Sequence, residues 1–70
     1  MIKHYYRTEA PFVVTARNGL LKSCHYTSKS AIDAAKSVPN YRIIHGRHRG
    51  DWKELVHFHK GVRVCLGIQN

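Results

Sequence analysis

Apolar residues alternate along the first part of the chain, then recur at helical spacing, and then alternate again, which predicts strands on both sides of one helix. Two strand-like runs, 12–17 and 20–26, flank the dipeptide Asn18-Gly19. This dipeptide favours a two-residue type I′ turn, because both residues tolerate the positive φ that such a turn requires. The resulting pairs are Phe12 with His25, Val13 with Cys24 and Arg17 with Leu20. The sequence therefore predicts a first β-hairpin.

The segment 27–38 has the spacing of a short helix that rests small side chains on a sheet. Its apolar side is formed by Ala31, Ala35 and Val38, with Ile32 beside them. Ser28 or Ser30 is the expected N-cap, and Asp33 follows Ser30 at the spacing of a capping box. Because the residue before a proline is disfavoured in a helix, the helix is expected to end before Pro39.

Three further strands are predicted in the second half of the chain. Residues 41–45 predict a strand, residues 46–51 a turn-rich basic loop, and residues 52–58 and 62–68 a second hairpin. Glycines bracket the basic run of the loop, so its side chains are expected to be exposed and to have no packing role.

Two registers are open to the second hairpin. A two-residue turn would place histidines opposite valines, with the pairs His59–Val62 and His57–Val64. A three-residue loop gives a more apolar face, with the pairs Phe58–Val62, Val56–Val64 and Glu54–Leu66. We expect the second register, with Gly61 in the left-handed conformation that this loop needs. It places on one face Trp52, Val56, Phe58, Val62, Val64, Leu66 and Ile68, and on the other Lys53, His57, Arg63 and Cys65, with Leu55 as an exception.

The order β-β-α-β-β-β predicts a single α+β domain over residues 1–70. One helix packed on one face of an antiparallel sheet of four to five strands is the economical way to bury this pattern. Residues 1–9 are expected to form a loosely ordered segment or an edge strand near residues 2–6. The sheet face away from the helix is expected to face solvent or a partner.

Composition narrows the class of function. The chain has 70 residues, and 12 Lys and Arg against 4 Asp and Glu give a formal net charge of +8 at pH 7. This length allows one domain and excludes an enzyme with separate cofactor and substrate domains. Hydrophobic residues make up 43% of the chain, which is not the profile of a disordered tail. We therefore expect a folded protein that seeks anionic partners.

Neither a targeting segment nor a disulfide framework is indicated. The longest apolar run near the N-terminus, 12–14, is far shorter than a signal-peptide core or the roughly 20 residues that span a bilayer. Cys24 and Cys65 can form at most one bridge, whereas disulfide-dependent domains of this size usually carry several. We expect reduced and buried thiols, a cytoplasmic location and no membrane partner.

Basic residues of the second half form the predicted binding surface. Arginine and lysine neutralise phosphates, and the rings of tyrosine and histidine stack on unpaired bases. The residues expected to bind an anionic macromolecule are Arg42, Arg47, His48, Arg49, Lys53, His57 and Arg63. A charged surface that merely keeps a small protein in solution is the alternative interpretation. Because there is no recognition-helix motif, base-specific readout is not expected.

Metal binding and catalysis are further interpretations of the same residues. His57 and His59 lie on one side of a predicted strand, but paired ligands at the spacing of a zinc knuckle are absent from the sequence. Histidines, arginines and carboxylates cluster between His45 and Glu54, as in a small ribonuclease, yet they also suit a basic loop before a strand. Trp52 is expected to anchor the core. We expect a non-catalytic protein without metal or cofactor.

The order of elements in residues 12–44, a hairpin, a Ser/Ala helix, a Pro39-Asn40-Tyr41 corner and a strand, resembles the plan of small phage-encoded host-takeover proteins. Some of these inhibit bacterial RNA polymerase, and others are anti-CRISPR proteins. The resemblance transfers no residue role. It implies a protein that occupies the surface of another macromolecule, in the host cytoplasm. Two hypotheses follow: a binder of nucleic acid or a nucleoprotein complex, and an inhibitor or adaptor that docks on an acidic host protein.

Overall fold

The computed structural model describes residues 8–64, which form five strands and one helix. In chain order these are β1 (Phe12–Ala16), β2 (Leu21–His25), α1 (Ser28–Lys36), β3 (Arg42–His48), β4 (Asp51–His59) and β5 (Val62–Val64). The strands form one sheet in the order β2-β1-β3-β4-β5, and all neighbours are antiparallel. The predicted α+β fold is confirmed. The segment expected near residues 2–6 lies outside the described residues.

The helix connects two strands that are not neighbours. β2 and β3 pair with opposite sides of β1, and α1 lies between them in the chain. Because both strands run antiparallel to β1, they are parallel to each other, and the unit is a split β-α-β. The helix packs on β1, β2 and β3 and reaches β4. It therefore covers one face of the sheet.

A small core fills the space between the helix and the sheet. Its buried members are Val14, Ala31, Ala35, Ile44 and Phe58, with Phe12, Ile32 and Val56 packed against them. Neither alanine has any exposed surface, so the helix lies close to the strands. The predicted burial of Ala31 and Ala35 is confirmed.

The sheet face away from the helix is buried as well, although it was expected to meet solvent or a partner. Its buried members are Val13, Thr15, Ile43, His45 and His57, each with 6% or less of its surface exposed. They alternate with the residues that face the helix, as strand geometry requires. The polar members are hydrogen-bonded, since the Thr15 hydroxyl lies 2.9 Å from His45 Nε2. The centre of this face is thus a second packed layer.

The N-cap of α1 is Thr27 rather than Ser28 or Ser30. The Thr27 side chain accepts a hydrogen bond from the N–H of Ser30 at 3.1 Å, and its backbone is extended. Asp33 does not complete a capping box but lies 3.6 Å from the ammonium of Lys29. The predicted position was wrong because either serine would have needed the helix to begin later than it does.

The first hairpin has the predicted outer register but a different turn. Its outer pairs are Phe12 with His25 and Val13 with Cys24. The carbonyl of Ala16 accepts from the N–H of Gly19 (2.9 Å), and the N–H of Ala16 donates to Leu20 (2.8 Å), which closes a three-residue loop. This loop needs positive φ only at Gly19, where φ is 92°, so it is less demanding than a type I′ turn. Ala16 rather than Arg17 faces Leu20, and Lys22 is an extra residue in β2 that restores the predicted register from Val14 outward.

Most of the predicted basic loop 46–51 is strand. β3 continues to His48 and β4 begins at Asp51, which leaves a two-residue turn. Arg49 and Gly50 form it with φ of 53° and 83°. Gly46 marks close packing instead of a turn, since a Cβ there would lie 2.7 Å from Leu55 Cδ1. The glycine at this position was therefore misread as the start of a loop.

The second hairpin has the two-residue register that the sequence argument rejected. Its pairs are His57 with Val64, Phe58 with Arg63 and His59 with Val62. Lys60 and Gly61 form the turn with φ of 56° and 74°. Histidine is tolerated on this face because His57, which is buried, forms hydrogen bonds through both ring nitrogens.

A bulge in β4 changes which residues share a face. Ile44 pairs with Val56 and His45 with Glu54, so Leu55 is the extra residue of β4. As a result Trp52 does not lie on the side of Val56 and Phe58, and the two valines of β5 lie on the side of His57. The predicted positions of Cys65, Leu66 and Ile68 lie outside the described residues.

Candidate anion-binding site

The predicted binding residues divide between the two ends of the sheet. One end, here called the pocket end, carries the loop 17–20, the connection 37–41 and the turn 60–61; the opposite end carries the turn 49–50. Arg42, Phe58 and Arg63 form one cross-strand row at the pocket end. The residues at the opposite end are Arg47, His48, Arg49 and Lys53. The two groups are separated by about 16 Å along β3, at roughly 3.3 Å per residue.

His57 is buried and takes no part in an exposed polar face. The Tyr41 hydroxyl lies 2.8 Å from His57 Nδ1, and His57 Nε2 lies 3.1 Å from Glu54 Oε1. Since a carboxylate only accepts, Nε2 carries a proton, and in the neutral ring Nδ1 accepts from the tyrosine hydroxyl. Both nitrogens of His57 are therefore engaged. His57 was expected on an exposed polar face, and the structure instead buries its ring.

Arg47 has a packing role, contrary to the expectation for this segment. Its guanidinium donates to the carbonyl oxygens of Thr8 and Ala10 and lies 4.9 Å from the centroid of the Trp52 ring. The backbone N–H of Arg47 also donates to Pro11, at 2.9 Å. This side chain thus fastens the segment before β1 to the sheet. His48, Arg49, Lys53 and Arg63 are exposed, as predicted.

A pocket of about 390 Å³ opens at the pocket end, between the first hairpin and the connection that follows the helix. It is lined by Ala16, Arg17, Asn18, Leu20, Lys22, Asn40, Tyr41 and Arg42. Three of these side chains are cationic, and none of the four Asp and Glu side chains of the protein lines the pocket. The arrangement suits a negatively charged ligand.

Neighbouring groups fix the positions of two of the cationic side chains, Arg17 and Arg42. The guanidinium of Arg17 lies 4.8 Å from the centroid of the Tyr41 ring, a cation–π contact. Arg42 Nη1 donates to the carbonyl oxygen of Tyr41 at 2.9 Å. The Asn18 side chain accepts from the N–H of Leu20 at 3.0 Å, which stiffens the loop that carries Arg17. Tyr41 therefore links the two arginines.

The other buried or half-buried histidines belong to structural contacts. His25 lies between two hydroxyl groups, 2.7 Å from Ser23 Oγ and 2.8 Å from Ser30 Oγ, and so joins β2 to the helix. His45 bonds to Thr15. Within residues 8–64 there is no cluster of three or more histidine, cysteine or carboxylate side chains that could hold a metal ion.

Two other predicted core residues are placed differently. Cys24 is an exposed, unbridged thiol on the edge strand β2 instead of a buried one, because alternation turns it away from the helix. Trp52 is half-buried beside Arg47, on the face away from the helix, because of the β4 bulge. Cys65 lies outside the described residues.

Arg42 is predicted from the sequence as a binding residue, but its neighbours in the pocket are not. Arg17 and Lys22 belong to the first hairpin, and Tyr41 follows the helix, so they are distant in the sequence. The pairing of Ala16 with Arg42 brings the two segments together. A usable signal was available: Asn18 and Asn40 both mark turns, and turns that end adjacent antiparallel strands can meet at one end of the sheet.

Comparison with known protein families, curated proteins and solved structures gives no match for this chain. In the described part of the chain, no helix is long and apolar enough to cross a membrane.

Proposed function

We propose that this protein binds nucleic acid through the phosphates of the strand and does not catalyse a reaction. The observation that carries the proposal is the pocket lined by Arg17, Lys22 and Arg42 without a carboxylate. Cations held in a concave site attract phosphates and release the counterions of the nucleic acid, which is the main sequence-independent source of affinity.

Further cations extend this surface beyond the pocket. Lys36 ends the helix, Lys60 lies in the β4–β5 turn, and Arg63 lies in β5; all three are exposed. The helix end and the turn are close, since a Cβ on Gly61 would lie 3.2 Å from the Lys36 carbonyl oxygen. A strand whose one phosphate enters the pocket would meet these residues with its neighbouring phosphates.

A non-catalytic role fits the groups next to the pocket. A general base needs a nitrogen or oxygen that can take a proton from a substrate. Neither histidine beside Tyr41 lines the pocket. His57 is buried with both ring nitrogens engaged, and His59 is exposed with its ring centroid 5.7 Å from that of Tyr41. An exposed thiol at Cys24 fits the reducing cytoplasm, which is the location we propose.

The proposal is tested by the salt dependence of binding to fluorescein-labelled oligonucleotides, single-stranded and duplex. The expected slope of log K against log salt is about −0.7 per neutralised phosphate for a single strand and about −0.9 for a duplex. Polyglutamate serves as a control that presents carboxylates instead of phosphates. Absence of oligonucleotide binding at low salt, or equal binding of polyglutamate, would contradict the proposal.

The second candidate function is the phage-type inhibitor or adaptor that docks on an acidic host protein. The observation that favours it is the edge strand β2, where Leu21 and the flanking residues Leu20 and Tyr26 are 40–71% exposed. Unpaired strand edges with apolar side chains commonly accept another chain. Capture of one bacterial protein from a nuclease-treated lysate by the wild type, but not by a Leu21→Glu/Tyr26→Glu variant, would favour this function.

A further inference from the structure

We infer that the pocket holds one phosphate group of a nucleic-acid strand between Arg17, Lys22 and Arg42, and that Tyr41 positions Arg17 for this contact. The inference rests on the proposed function and assigns it to one site. Of the residues that the sequence indicated, the site keeps Arg42 at the start of β3, and it adds Arg17 from the first loop and Lys22 from β2.

The charge of the pocket selects an anion. Three cations line a space of about 390 Å³, and their mutual repulsion is not relieved by any Asp or Glu side chain on its wall. A phosphate placed among them relieves this repulsion and accepts charge-assisted hydrogen bonds, which are stronger than neutral ones. The depression is shallow and open to solvent, and its volume of about 390 Å³ leaves room for a phosphate and its attached sugar.

The polar groups beside the cations favour a nucleotide over a bare ion. Asn40 offers an amide with two donors and one acceptor, while Leu20 and Ala16 supply apolar surface. An isolated inorganic phosphate would use the cations and the N–H groups of the amide but not the apolar surface. A nucleotide also presents a sugar and a base, which can use the amide and the apolar wall.

Tyr41 sets the position of Arg17 through its ring and is itself held through its hydroxyl. The guanidinium of Arg17 lies over the ring, while the hydroxyl bonds to His57, whose other nitrogen bonds to Glu54. His57 also meets the Tyr41 ring edge-on, with centroids 5.6 Å apart. Tyr41 therefore has little freedom to move. An arginine stacked on a fixed ring loses less side-chain entropy when it binds a phosphate.

The decisive experiment compares two variants that remove the same charge from opposite ends of the sheet. The pocket variant is Arg17→Ala/Lys22→Ala, and the matched control is Arg49→Ala/Lys53→Ala; all four side chains are exposed, so both variants should fold. The probe is a short fluorescein-labelled single-stranded oligothymidylate, measured by anisotropy. We expect the pocket variant to bind at least about tenfold more weakly, with a salt slope smaller by about one phosphate contact, because a single phosphate enters the pocket.

The matched control should bind within about threefold of the wild type. Equal losses in both variants would show that only net charge matters and would overturn the inference, while leaving the proposed function intact. Failure of the wild type to bind any oligonucleotide would instead overturn the proposed function. Circular dichroism of each variant verifies the fold.

The role of Tyr41 has its own test. Tyr41→Phe keeps the ring under Arg17 but loses the hydrogen bond to His57, and Tyr41→Leu loses both. We expect Tyr41→Phe to bind slightly more weakly than the wild type, because its ring is no longer held through a hydroxyl, and Tyr41→Leu to bind several-fold more weakly. Equal binding by both would show that Tyr41 does not position Arg17.

The type of phosphate is distinguished by the probe. An oligothymidylate with a 5′-phosphate is compared with the same strand ending in a hydroxyl, and inorganic phosphate is added as a competitor. A preference for the phosphorylated end, lost in the pocket variant, assigns the site to a terminal phosphate. Equal affinity for the two strands, lowered in the pocket variant, assigns it to an internal phosphodiester. Displacement of either strand by equimolar inorganic phosphate would contradict a nucleotide site.

Discussion

Gly61 combines a left-handed backbone with a close approach to the helix. Its φ is 74°, and a Cβ would lie 3.2 Å from the carbonyl oxygen of Lys36. We expect Gly61→Val to lower the free energy of unfolding by about 1–2 kcal/mol, because a side chain is strained at this φ. Urea denaturation measures the change.

Gly50→Val is the matched control for this substitution. Gly50 also has positive φ, at 83°, but a Cβ there would meet nothing within 4 Å. The difference between the two variants isolates the contact with the helix end. If Gly50→Val were as costly as Gly61→Val, backbone strain alone would account for both, and the approach to Lys36 would carry no energetic weight.

The need for glycine at position 61 could be predicted from the sequence, but the register around it could not. Both candidate turns place Gly61 at positive φ, so the residue does not discriminate between them. The choice between the two registers depended on whether His57 can share a face with the valines of β5. The burial of His57 is tolerated because Glu54 bonds one ring nitrogen and Tyr41, which is sixteen residues away in the sequence, bonds the other. Sequence patterns carry no information about such a partner.

The stability of the helix depends strongly on the contacts of its first turn. At nine residues, α1 is too short to be stable alone, so each end contact contributes noticeably. Thr27→Ala removes the hydroxyl that accepts from Ser30 at 3.1 Å. We expect a loss of about 1 kcal/mol in the free energy of unfolding, as for other N-cap threonines.

Ser28→Ala is the control for the cap, because Ser28 is an exposed helical residue that the sequence also offered as a cap. We expect this variant to differ from the wild type by less than about 0.5 kcal/mol. Thermal unfolding followed by circular dichroism compares the two. A larger loss in Ser28→Ala than in Thr27→Ala would mean that the helix begins later than described.

The strands and the helix could be predicted well from the sequence. The ends of these elements and the register shifts within the strands could not. Alternation and Ala31–Ala35 spacing located the strands and the helix. Bulges at β2 and at Leu55 escaped prediction, because one extra residue in a strand has no distinctive composition. The Leu55 bulge alone moved Trp52 to the other face. The candidate pocket escaped prediction for a related reason, since it joins residues whose proximity follows from strand order.

At the scale of the whole molecule, hydrogen bonds of Arg47 attach residues 8–11, which precede β1, to β3. Arg47→Ala removes the hydrogen bonds to Thr8 and Ala10 and the contact with Trp52. We expect a loss of about 1 kcal/mol in the free energy of unfolding, since Arg47 is largely exposed. Trp52 is the single tryptophan of the chain, so its fluorescence emission should also shift.

Arg49→Ala is the matched control, since Arg49 is exposed in the adjacent turn and neither residue lines the pocket. It should leave stability and the Trp52 emission nearly unchanged. If the two variants had equal stability and equal emission spectra, the Arg47 contacts would contribute neither to the stability of the fold nor to the environment of Trp52.

The crossing of the helix over β1 has a consequence for the order in which the protein folds. Every strand pairing except that of β1 with β3 joins neighbours in the chain through a loop of two to four residues. The β1–β3 pairing brings together residues thirty apart, such as Thr15 and His45, and must close a loop that contains β2 and α1. The hairpin loops are short and lose little entropy on closing, whereas the β1–β3 pairing closes a long loop and has the larger entropic cost. We therefore expect the two hairpin blocks to form independently and the rate of folding to be set by their docking along β1 and β3.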